Sequence, residues 1–410
     1  MLKKPELLAP GGSLEKLKTA IDFGADAVYI GGDAFSLRVA AENFSVEDMH
    51  EGIKYAHDRG RKVYLTSNII AHNRDIDKFR EFIDEIRPMG FDAVLIADLG
   101  LFGLIREIAP EIPVHISTQA NNTNYETVKM WHRMGAERVV LGREMSFKEI
   151  AEIQREVPDV ELEAFVHGAM CISYSGRCLL SNYMTGRNSN LGACAHPCRW
   201  NYSLVEEKRP NEYFDVFENE RGTFIFNSKD LCMIEHIPEL VESGVASLKI
   251  EGRVKTAFYV ATIVGAYRRE IDRYCKDPEN YKFNPEELDE LCKVSHRPYT
   301  TGFFYGRPES DAQVYETSSY IRDYELVGIV TDYNRETKRL TLSQRNRFFA
   351  GEELEIIQPM KPYVTIKAEN MQNTKGETID VAPHAEEIIT IDCDTEILVG
   401  AMIRKKNDSR

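Results

Sequence analysis

The sequence predicts an α/β protein with a (β/α)8 TIM-like barrel, a cysteine-rich loop at the barrel mouth, and a small C-terminal all-β barrel domain. The first observation behind this prediction is a repeated pattern, in which a glycine follows an amphipathic helical stretch and leads into a short apolar run. The clearest copies are GADAVYIGG (24–32), GFDAVLIADLG (90–100), GAERVVLGREM (135–145) and GVASLKIEGR (244–253). The glycine suits the left-handed position that ends a helix. The apolar run suits a strand that is buried on both faces of a parallel sheet.

Weaker copies of the same pattern fill the gaps between these four. They are PELLAPGG (5–12), RKVYLTSNII (61–70), IPVHISTQANN (112–122) and VELEAFVHGAM (160–170). Eight strands in this alternation predict a barrel of about 250 residues. A doubly wound open sheet is the alternative, because a sequence does not show whether a sheet closes on itself.

The second observation is a change of pattern near residue 320. Short alternating runs separated by turns follow, such as YELVGIVTDY, KRLTLSQRN and EEIITIDCD, and they predict a small β-barrel or sandwich. We therefore expect the barrel with its cysteine-rich loop (170–200) in residues 1–276. A connecting segment (277–319) and the β domain (320–405) follow.

Composition and charge limit the possible surroundings and partners of the chain. The sequence has no apolar run of about 20 residues and no apolar leader at its N-terminus, so we expect a cytoplasmic protein with reduced thiols and no membrane contact. The net charge of −15 disfavours simple binding of nucleic acid, because contact with phosphates needs Lys and Arg. A local basic patch could still supply that contact, and the candidates are Arg335, Lys338, Arg339, Arg345 and Arg347.

Half of the eight cysteines lie in the segment MCISYSGRCLLSNYMTGRNSNLGACAHPCRW, at Cys171, Cys178, Cys194 and Cys198. Four thiolates can bind zinc or an iron–sulfur cluster. Structural zinc sites usually have ligand pairs two to four residues apart at both ends, and only the second pair fits that spacing. The wide spacing favours a [4Fe–4S] cluster, with zinc or buried thiols as alternatives. Cys232 could replace Cys198 as the fourth ligand.

Four motifs, GAMCISYSGRCLLS, GACAHPCRW, FNSKDLC and SLKIEGR, closely resemble the collagenase-like peptidase family U32. The resemblance covers nearly the whole chain. Within the family, the length and the β domain look most like the members that hydroxylate tRNA. The resemblance implies a [4Fe–4S] cluster on the four cysteines of the loop, and prephenate as a co-substrate. It also implies tRNA as the substrate, with a wobble uridine converted to 5-hydroxyuridine, and it leaves room for a paralogous subunit of the same family as a partner.

Candidate catalytic residues follow the last two barrel strands. Lys249 and Glu251 alternate along one strand and so face the same way. They could pair with each other and act on a ligand, or form a structural salt bridge inside the barrel. His167 precedes the cysteine-rich loop and could relay protons, or it could be a structural histidine. Arg253 lies within the matching SLKIEGR motif.

Candidate substrate-binding residues are arginines and amides at the strand ends. Prephenate carries two carboxylates, which arginine binds in a bidentate manner. The candidate arginines are Arg143, Arg177, Arg187, Arg199 and Arg253. For each of them, the alternative interpretation is an ion pair on the protein surface. Gln119 and Asn121 follow the fifth strand and add polar ligands at the barrel mouth.

Two other functions remain open from the sequence, besides the RNA hydroxylase. A peptidase is disfavoured because the chain has neither HExxH nor GxSxG, and because a Cys171 nucleophile with His167 would leave the other cysteines unexplained. The third possibility is a zinc-stabilised RNA-binding scaffold.

Overall fold

The computed structural model describes residues 3–32, 35, 44–171, 178–187, 194–200, 203–206, 209–215, 229–306 and 320–407. Its N-terminal part alternates strands and helices. The strands are β1 (Glu6–Pro10), β2 (Ala27–Gly31), β3 (Lys62–Ser67), β4 (Ala93–Ile96), β5 (Val114–Ile116), β6 (Arg138–Val140), β7 (Glu161–Ala169), β8 (Ser203–Glu206), β9 (Arg209–Asp215), β10 (Asp230–Cys232), β11 (Ser247–Ile250) and β12 (Tyr299–Thr300). The helices are α1 (Leu14–Asp22), α2 (Val46–His57), α3 (Ile76–Ile86), α4 (Leu99–Ile108), α5 (Tyr125–Arg133), α6 (Phe147–Glu156), α7 (Leu180–Thr185), α8 (Ile237–Glu242), α9 (Ala257–Lys276) and α10 (Pro285–Cys292).

The sheet closes into a barrel. Strands β1 to β7 pair in sequence order and in parallel, and β11 pairs in parallel with both β7 and β1. The eight predicted strands are the eight barrel strands, so the predicted fold class is confirmed and the open-sheet alternative is wrong. Strand β10 was not predicted as a strand, and it pairs antiparallel with β7, beside the barrel.

Local sequence signals explain where the helices begin and end. Side chains of Ser13, Ser146 and Thr256 accept backbone N–H groups in the first turns of α1, α6 and α9, as N-cap residues do. The glycines that lead the four clearest repeats all have positive φ, which glycine adopts without steric cost. They are Gly24, Gly90, Gly135 and Gly244. The repeated pattern is therefore the junction between a helix and the next strand.

A buried ion network lies inside the barrel. The Arg138 guanidinium, only 4% exposed, contacts Glu6, Glu161 and Glu163, and the Glu163 carboxylate also binds Lys249 Nζ at 2.7 Å. Burial raises the pKa of Glu163, but the nearby Lys249 and Arg138 outweigh it and hold that pKa below its ordinary value. The network joins β1, β6, β7 and β11, which are the strands on both sides of the closing seam.

His115 of β5 lies in the same interior. Its ring packs edge-to-face on Tyr64 with 4.8 Å between centroids. Within the described part of the chain, no group hydrogen-bonds to its Nδ1. Burial, and then the charge of Arg138, lower the pKa of His115 to about 3. The imidazole is therefore neutral inside the folded barrel at ordinary pH.

The C-terminal part is an antiparallel half-barrel with its own apolar core. Its strands are β13 (Tyr324–Asn334), β14 (Arg339–Gln344), β15 (Phe348–Phe349), β16 (Glu353–Gln358), β17 (Lys361–Lys367), β18 (Val381–Ala382), β19 (Ile388–Asp392) and β20 (Met402–Lys406). Arg404 of β20 is fully buried and binds Glu290 of α10 and Glu355 of β16, each at 2.6 Å. An ion network thus links the half-barrel to the helical layer of the TIM barrel. No helix in the described ranges is long and apolar enough to cross a membrane.

The first prediction concerns the ion network. Replacing Glu163 by Gln leaves Arg138 and Lys249 without their shared buried carboxylate, so we expect about 3 kcal/mol lower free energy of unfolding. Glu161→Gln is the matched control, because Glu161 binds the same guanidinium but its side chain is 45% exposed. Its effect should stay below about 1 kcal/mol. Urea unfolding near neutral pH measures both, and equal effects would contradict the structural role of burial.

The second prediction concerns acid stability. An unfolded histidine has a pKa of about 6.5, whereas that of folded His115 is about 3. Above about pH 6.5 both states are neutral. As the pH falls from there towards 3, only the unfolded chain takes up the proton, so stability is lost. In His115→Phe, the loss of unfolding free energy between about pH 7 and pH 4.5 should be smaller by about 2–3 kcal/mol. An unchanged loss in urea titrations at the two pH values would contradict this burial argument.

Candidate active site at the barrel mouth

Polar side chains converge at the C-terminal ends of the barrel strands. Thr66 lies near the end of β3 and Asn68 directly follows that strand, Ser117 and Gln119 follow β5, and Arg143 follows β6. Glu251 and Arg253 follow β11. Because all eight strands run in the same direction, these groups meet at one rim, which is where such barrels bind and transform substrates. This rim is called the mouth below.

Arg253 is held rigidly on one side of the mouth. It is buried, and its Nη1 donates to Thr66 Oγ1 at 2.8 Å, while the Thr66 hydroxyl in turn donates to the Ile30 carbonyl at 2.7 Å. A Cβ at Gly12 would lie only 1.9 Å from the Arg253 carbonyl oxygen. Glycine at position 12 therefore allows the ends of β1 and β11 to approach, and this approach positions the arginine.

Arg143 forms a second cationic group at the mouth. Its Nη1 donates to the Ala169 carbonyl at 2.9 Å, and its guanidinium lies 3.9 Å from the ring centroid of Phe165. Its Nη2 is 3.6 Å from Glu251 Oε2, which is longer than a good charge-assisted hydrogen bond. The Arg143–Glu251 pair is thus loosely engaged, whereas the guanidinium plane is fixed by the ring.

The hypothesis that Lys249 pairs with Glu251 is wrong. Lys249 binds Glu163 in the barrel interior and lies 4.7 Å from the centroid of the Tyr29 ring. Glu251 contacts Arg143 instead. The alternation along β11 is as expected, but the partner of Lys249 comes from β7. Lys249 therefore belongs to the structural ion network, which was the alternative interpretation.

His167 lies behind the mouth, between the barrel and helix α9. Its ring packs against Tyr259, Tyr267 and Tyr299, and the Tyr267 hydroxyl is 3.4 Å from its Nδ1. Burial lowers its pKa to about 3, with a smaller contribution from Lys255. A histidine that stays neutral and enclosed by tyrosines is poorly placed to relay protons, so its surroundings favour the structural role.

A neutral polar group also lies at the mouth. Asn68 Nδ2 donates to Ser117 Oγ at 3.1 Å and to Gln119 Oε1 at 3.0 Å, and the Ser117 hydroxyl also donates to Gln119 Oε1. Gln119 was expected here, whereas Asn68 and Thr66 were not singled out from the sequence. The available signal was alternation: Tyr64, Thr66 and Asn68 share the inward face of β3. Asn121 follows Gln119 in a left-handed conformation, with φ of 56°.

The cysteine-rich loop begins where β7 ends. Cys171 directly follows this strand region and is exposed, Cys178 precedes α7, and Cys198 lies in the turn Pro197–Arg199. The backbone N–H of His196 donates to Cys194 Sγ at 3.4 Å, the type of donor that stabilises sulfur ligands of a metal. None of the eight cysteines, all within the described residues, forms a disulfide. Four sulfur donors at a barrel mouth fit an iron–sulfur cluster or zinc in kind.

The described side chains do not by themselves form a finished metal site. Within the ranges that the structure describes, no group of three or more His, Cys, Asp or Glu side chains is arranged to hold a metal ion. Residues 172–177 and 188–193, inside the loop, lie outside those ranges. The ligand set therefore stays a prediction.

Cys232 is an unsuitable alternative to Cys198. It is buried on β10 opposite His167, and its Sγ is 4.0 Å from the Tyr267 hydroxyl. Burial raises the pKa of its thiol to about 12. Because a metal ligand must be the thiolate, this environment disfavours Cys232.

The remaining predicted cations are spread over the surface or lie outside the described side chains. Arg187 is exposed, Arg177 lies outside the described residues, and Arg199 is described only in its backbone. In the proposed basic patch of the half-barrel, Arg335, Lys338 and Arg339 pair with Glu396, Asp394 and Asp392. These carboxylates offset the positive charge, so the solvated-hairpin interpretation fits better than a phosphate-binding patch.

Comparison with known proteins places this site in a family. Residues 12–314 match the model of peptidase family U32, and residues 322–404 match that of the peptidase family U32 C-terminal domain. The chain is 43% identical to tRNA hydroxylation protein P1 of Bacillus subtilis, over 98% of this chain and 95% of that protein. It is 40% identical to tRNA hydroxylation protein P of Escherichia coli, over 93% and 92%. It is also 33% identical to a collagenase of Porphyromonas gingivalis, over 74% of each chain. With both domain models matched and full-length relatives at this identity, the chain belongs to peptidase family U32.

Proposed function

We propose that this protein is a tRNA hydroxylase that converts a wobble uridine to 5-hydroxyuridine, with a [4Fe–4S] cluster as cofactor and prephenate as co-substrate. The observation that carries the proposal is the composition of the mouth. Four cysteines lie on the loop that begins where β7 ends, and two oriented arginines follow the neighbouring strands β6 and β11. The full-length relatives named as tRNA hydroxylation proteins support the hydroxylation of tRNA.

The two arginines match the two carboxylates of prephenate. The Arg143 guanidinium is stacked on Phe165 and loosely paired with Glu251, so a carboxylate can replace Glu251 as its partner. Arg253 is held by Thr66. Because neither guanidinium must reorganise, binding costs little side-chain entropy. Glu251 then acts as a positioning residue that keeps Arg143 in place until the ligand enters.

Cys171, Cys178, Cys194 and Cys198 would hold the cluster. When bound, it would supply one-electron redox chemistry beside the substrate. The His196 N–H that contacts Cys194 Sγ would remain as a donor to a sulfur ligand.

Exposed aromatic side chains beside the cysteines support an RNA substrate. Tyr183 of α7 is 87% exposed, and Trp200 follows the turn that carries Cys198 and is 46% exposed. Unpaired bases stack on such rings, whatever the overall charge of the protein. The exposed Arg187 offers a contact to phosphate. A wobble base must leave its stack to enter an enclosed mouth, and exposed rings near the cysteines would offer it a stacking partner.

The peptidase function has weaker support from the site. The sequence offers Cys171 and His167 as a nucleophile and its base. His167 is enclosed by tyrosines, with a pKa of about 3, so it cannot activate a thiol near neutral pH as a general base should.

The third prediction tests the function in cells. We expect the chain to restore 5-hydroxyuridine in tRNA when it is expressed in a bacterial strain that lacks its own tRNA hydroxylation protein. Cys171→Ala, Cys178→Ala and Cys194→Ala should each abolish the modification, because each removes a cluster ligand. Cys275→Ala, in α9 and outside the loop, is the matched control and should retain it. Mass spectrometry of tRNA nucleosides gives the readout, and full activity in any of the three variants would remove that cysteine as an essential ligand.

The fourth prediction tests the cofactor. Protein purified without oxygen should contain about four irons and four sulfides per chain, and each of the three cysteine variants should lose most of both. Stoichiometric zinc without iron would contradict the cluster and favour the RNA-binding scaffold.

Prephenate is tested separately: a strain unable to make it should lack the modification until prephenate is supplied.

A further inference from the structure

We propose that Asn68 is the residue that recognises the target base, and that its Oδ1 accepts the N3–H of a uracil inserted into the mouth. This inference rests on the proposed function, because it takes uridine as the substrate, and it adds the residue that selects uracil. It concerns the neutral side of the mouth, which Asn68, Ser117 and Gln119 form.

The hydrogen bonds of Asn68 are complete on one side only. Its Nδ2 donates to Ser117 Oγ at 3.1 Å and to Gln119 Oε1 at 3.0 Å. An amide nitrogen has two hydrogens, so both are used. Its Oδ1, by contrast, is shielded from solvent and accepts no hydrogen bond from any residue that the structure describes. The side chain is thus held in one orientation by its neighbours and keeps one enclosed, unused acceptor.

The unpartnered Oδ1 of Asn68 would be stabilised by a hydrogen-bond donor. Buried polar atoms in folded proteins are almost always hydrogen-bonded, and a buried atom without a hydrogen-bond partner destabilises the protein. The residue is only 8% exposed, so bulk water does not substitute freely for a partner. Because the other atoms of the amide are already engaged, a ligand that satisfies Oδ1 must bring a hydrogen-bond donor.

The position of Asn68 points to a ligand in the mouth. It lies two residues beyond Thr66, just past the end of β3, and Thr66 is the residue that holds Arg253. The acceptor therefore belongs to the same rim as the arginines and the cysteine-rich loop, where a reacting group would be placed.

The chemistry of the acceptor distinguishes the possible occupants. The imide edge of uracil carries an N3–H donor between two carbonyls, whereas N3 of cytosine is itself an acceptor. The carboxylates of prephenate are also acceptors, so they are repelled here and attracted by Arg143 and Arg253. A site built to hydrogen-bond an N–H rejects a ligand that lacks it, because the buried group is then left unpaired.

The fifth prediction is a change in base preference. The purified full-length protein is titrated with labelled anticodon stem-loop RNAs that carry uridine, 3-methyluridine or cytidine at the target position, and Kd is measured by fluorescence anisotropy. We expect the uridine RNA to bind about tenfold more tightly than either of the others, as for loss of one buried hydrogen bond. In Asn68→Ala this preference should fall to within about twofold, because the acceptor is gone.

Two variants separate recognition from folding. Asn68→Asp keeps the shape and an acceptor oxygen but loses the donor to Ser117 and Gln119, so it should bind all three RNAs more weakly and still prefer uridine. Ser67→Ala is the matched control: Ser67 is also buried and its Oγ has no partner among the described residues, but it alternates to the opposite face of β3. It should leave the preference unchanged. Thermal unfolding of each variant verifies that the fold is intact.

The outcomes are distinct. A merely structural role for Asn68 would weaken binding of all three RNAs equally and leave their ratio unchanged, which would overturn the inference. Equal binding of the three RNAs by the unaltered protein, or no binding of any, would overturn it as well. The hydroxylase proposal is judged by the nucleoside analysis in cells. A uridine preference that depends on Asn68 without any 5-hydroxyuridine would therefore reject the reaction but keep the base recognition.

Discussion

The buried ion network around Arg138 is the interaction on which the rest of the structure depends. Its carboxylates come from β1 and β7 and its second cation, Lys249, comes from β11, so it spans the seam where the sheet closes. Removing charged groups from water is expensive unless every partner is present, and this requirement selects one register of β11 against β7. Glu251 and Arg253 follow Lys249 on the same chain segment. The ion pair inside the barrel thus fixes the position of Glu251 and Arg253 along the barrel axis.

The mouth above this network has two chemically different sides. Arg143 and Arg253 are fixed by an aromatic ring and a hydroxyl, and they attract anions. Asn68, Ser117 and Gln119 form a neutral group, in which the buried Asn68 Oδ1 accepts no hydrogen bond from the described residues. An acidic co-substrate and an uncharged base can therefore bind together without competing for the same contacts. In the proposed reaction this separation would bring both reactants close to the cysteine-rich loop, a positioning effect that lowers the entropic barrier.

The sequence predicted the strands and helices of this fold better than the contacts between them. The eight barrel strands were predictable because each forms an apolar run and all but the first follow a glycine or a helix, which are local features. Closure of the barrel was not predictable, because β7 and β11 pair across an intervening segment of the chain. The same limit explains Lys249, whose alternation with Glu251 is local but whose partner Glu163 is not. Asn68 was missed because the sequence TSN resembles an ordinary strand end. Its significance is an unmatched oxygen, which depends on tertiary contacts.

The choice between Cys198 and Cys232 shows how burial decides among chemically identical ligands. Cys232 is packed against Tyr267, and its pKa of about 12 means that forming the thiolate would cost several kcal/mol near neutral pH. Cys198 is half-buried in the turn Pro197–Arg199, and the preceding residue, His196, donates its N–H to the sulfur of Cys194. Ligation by Cys198 would therefore place all four donors on the single loop after β7. A cluster held by these four cysteines would lie on the loop that follows β7, at the same end of the barrel as the arginines and Asn68.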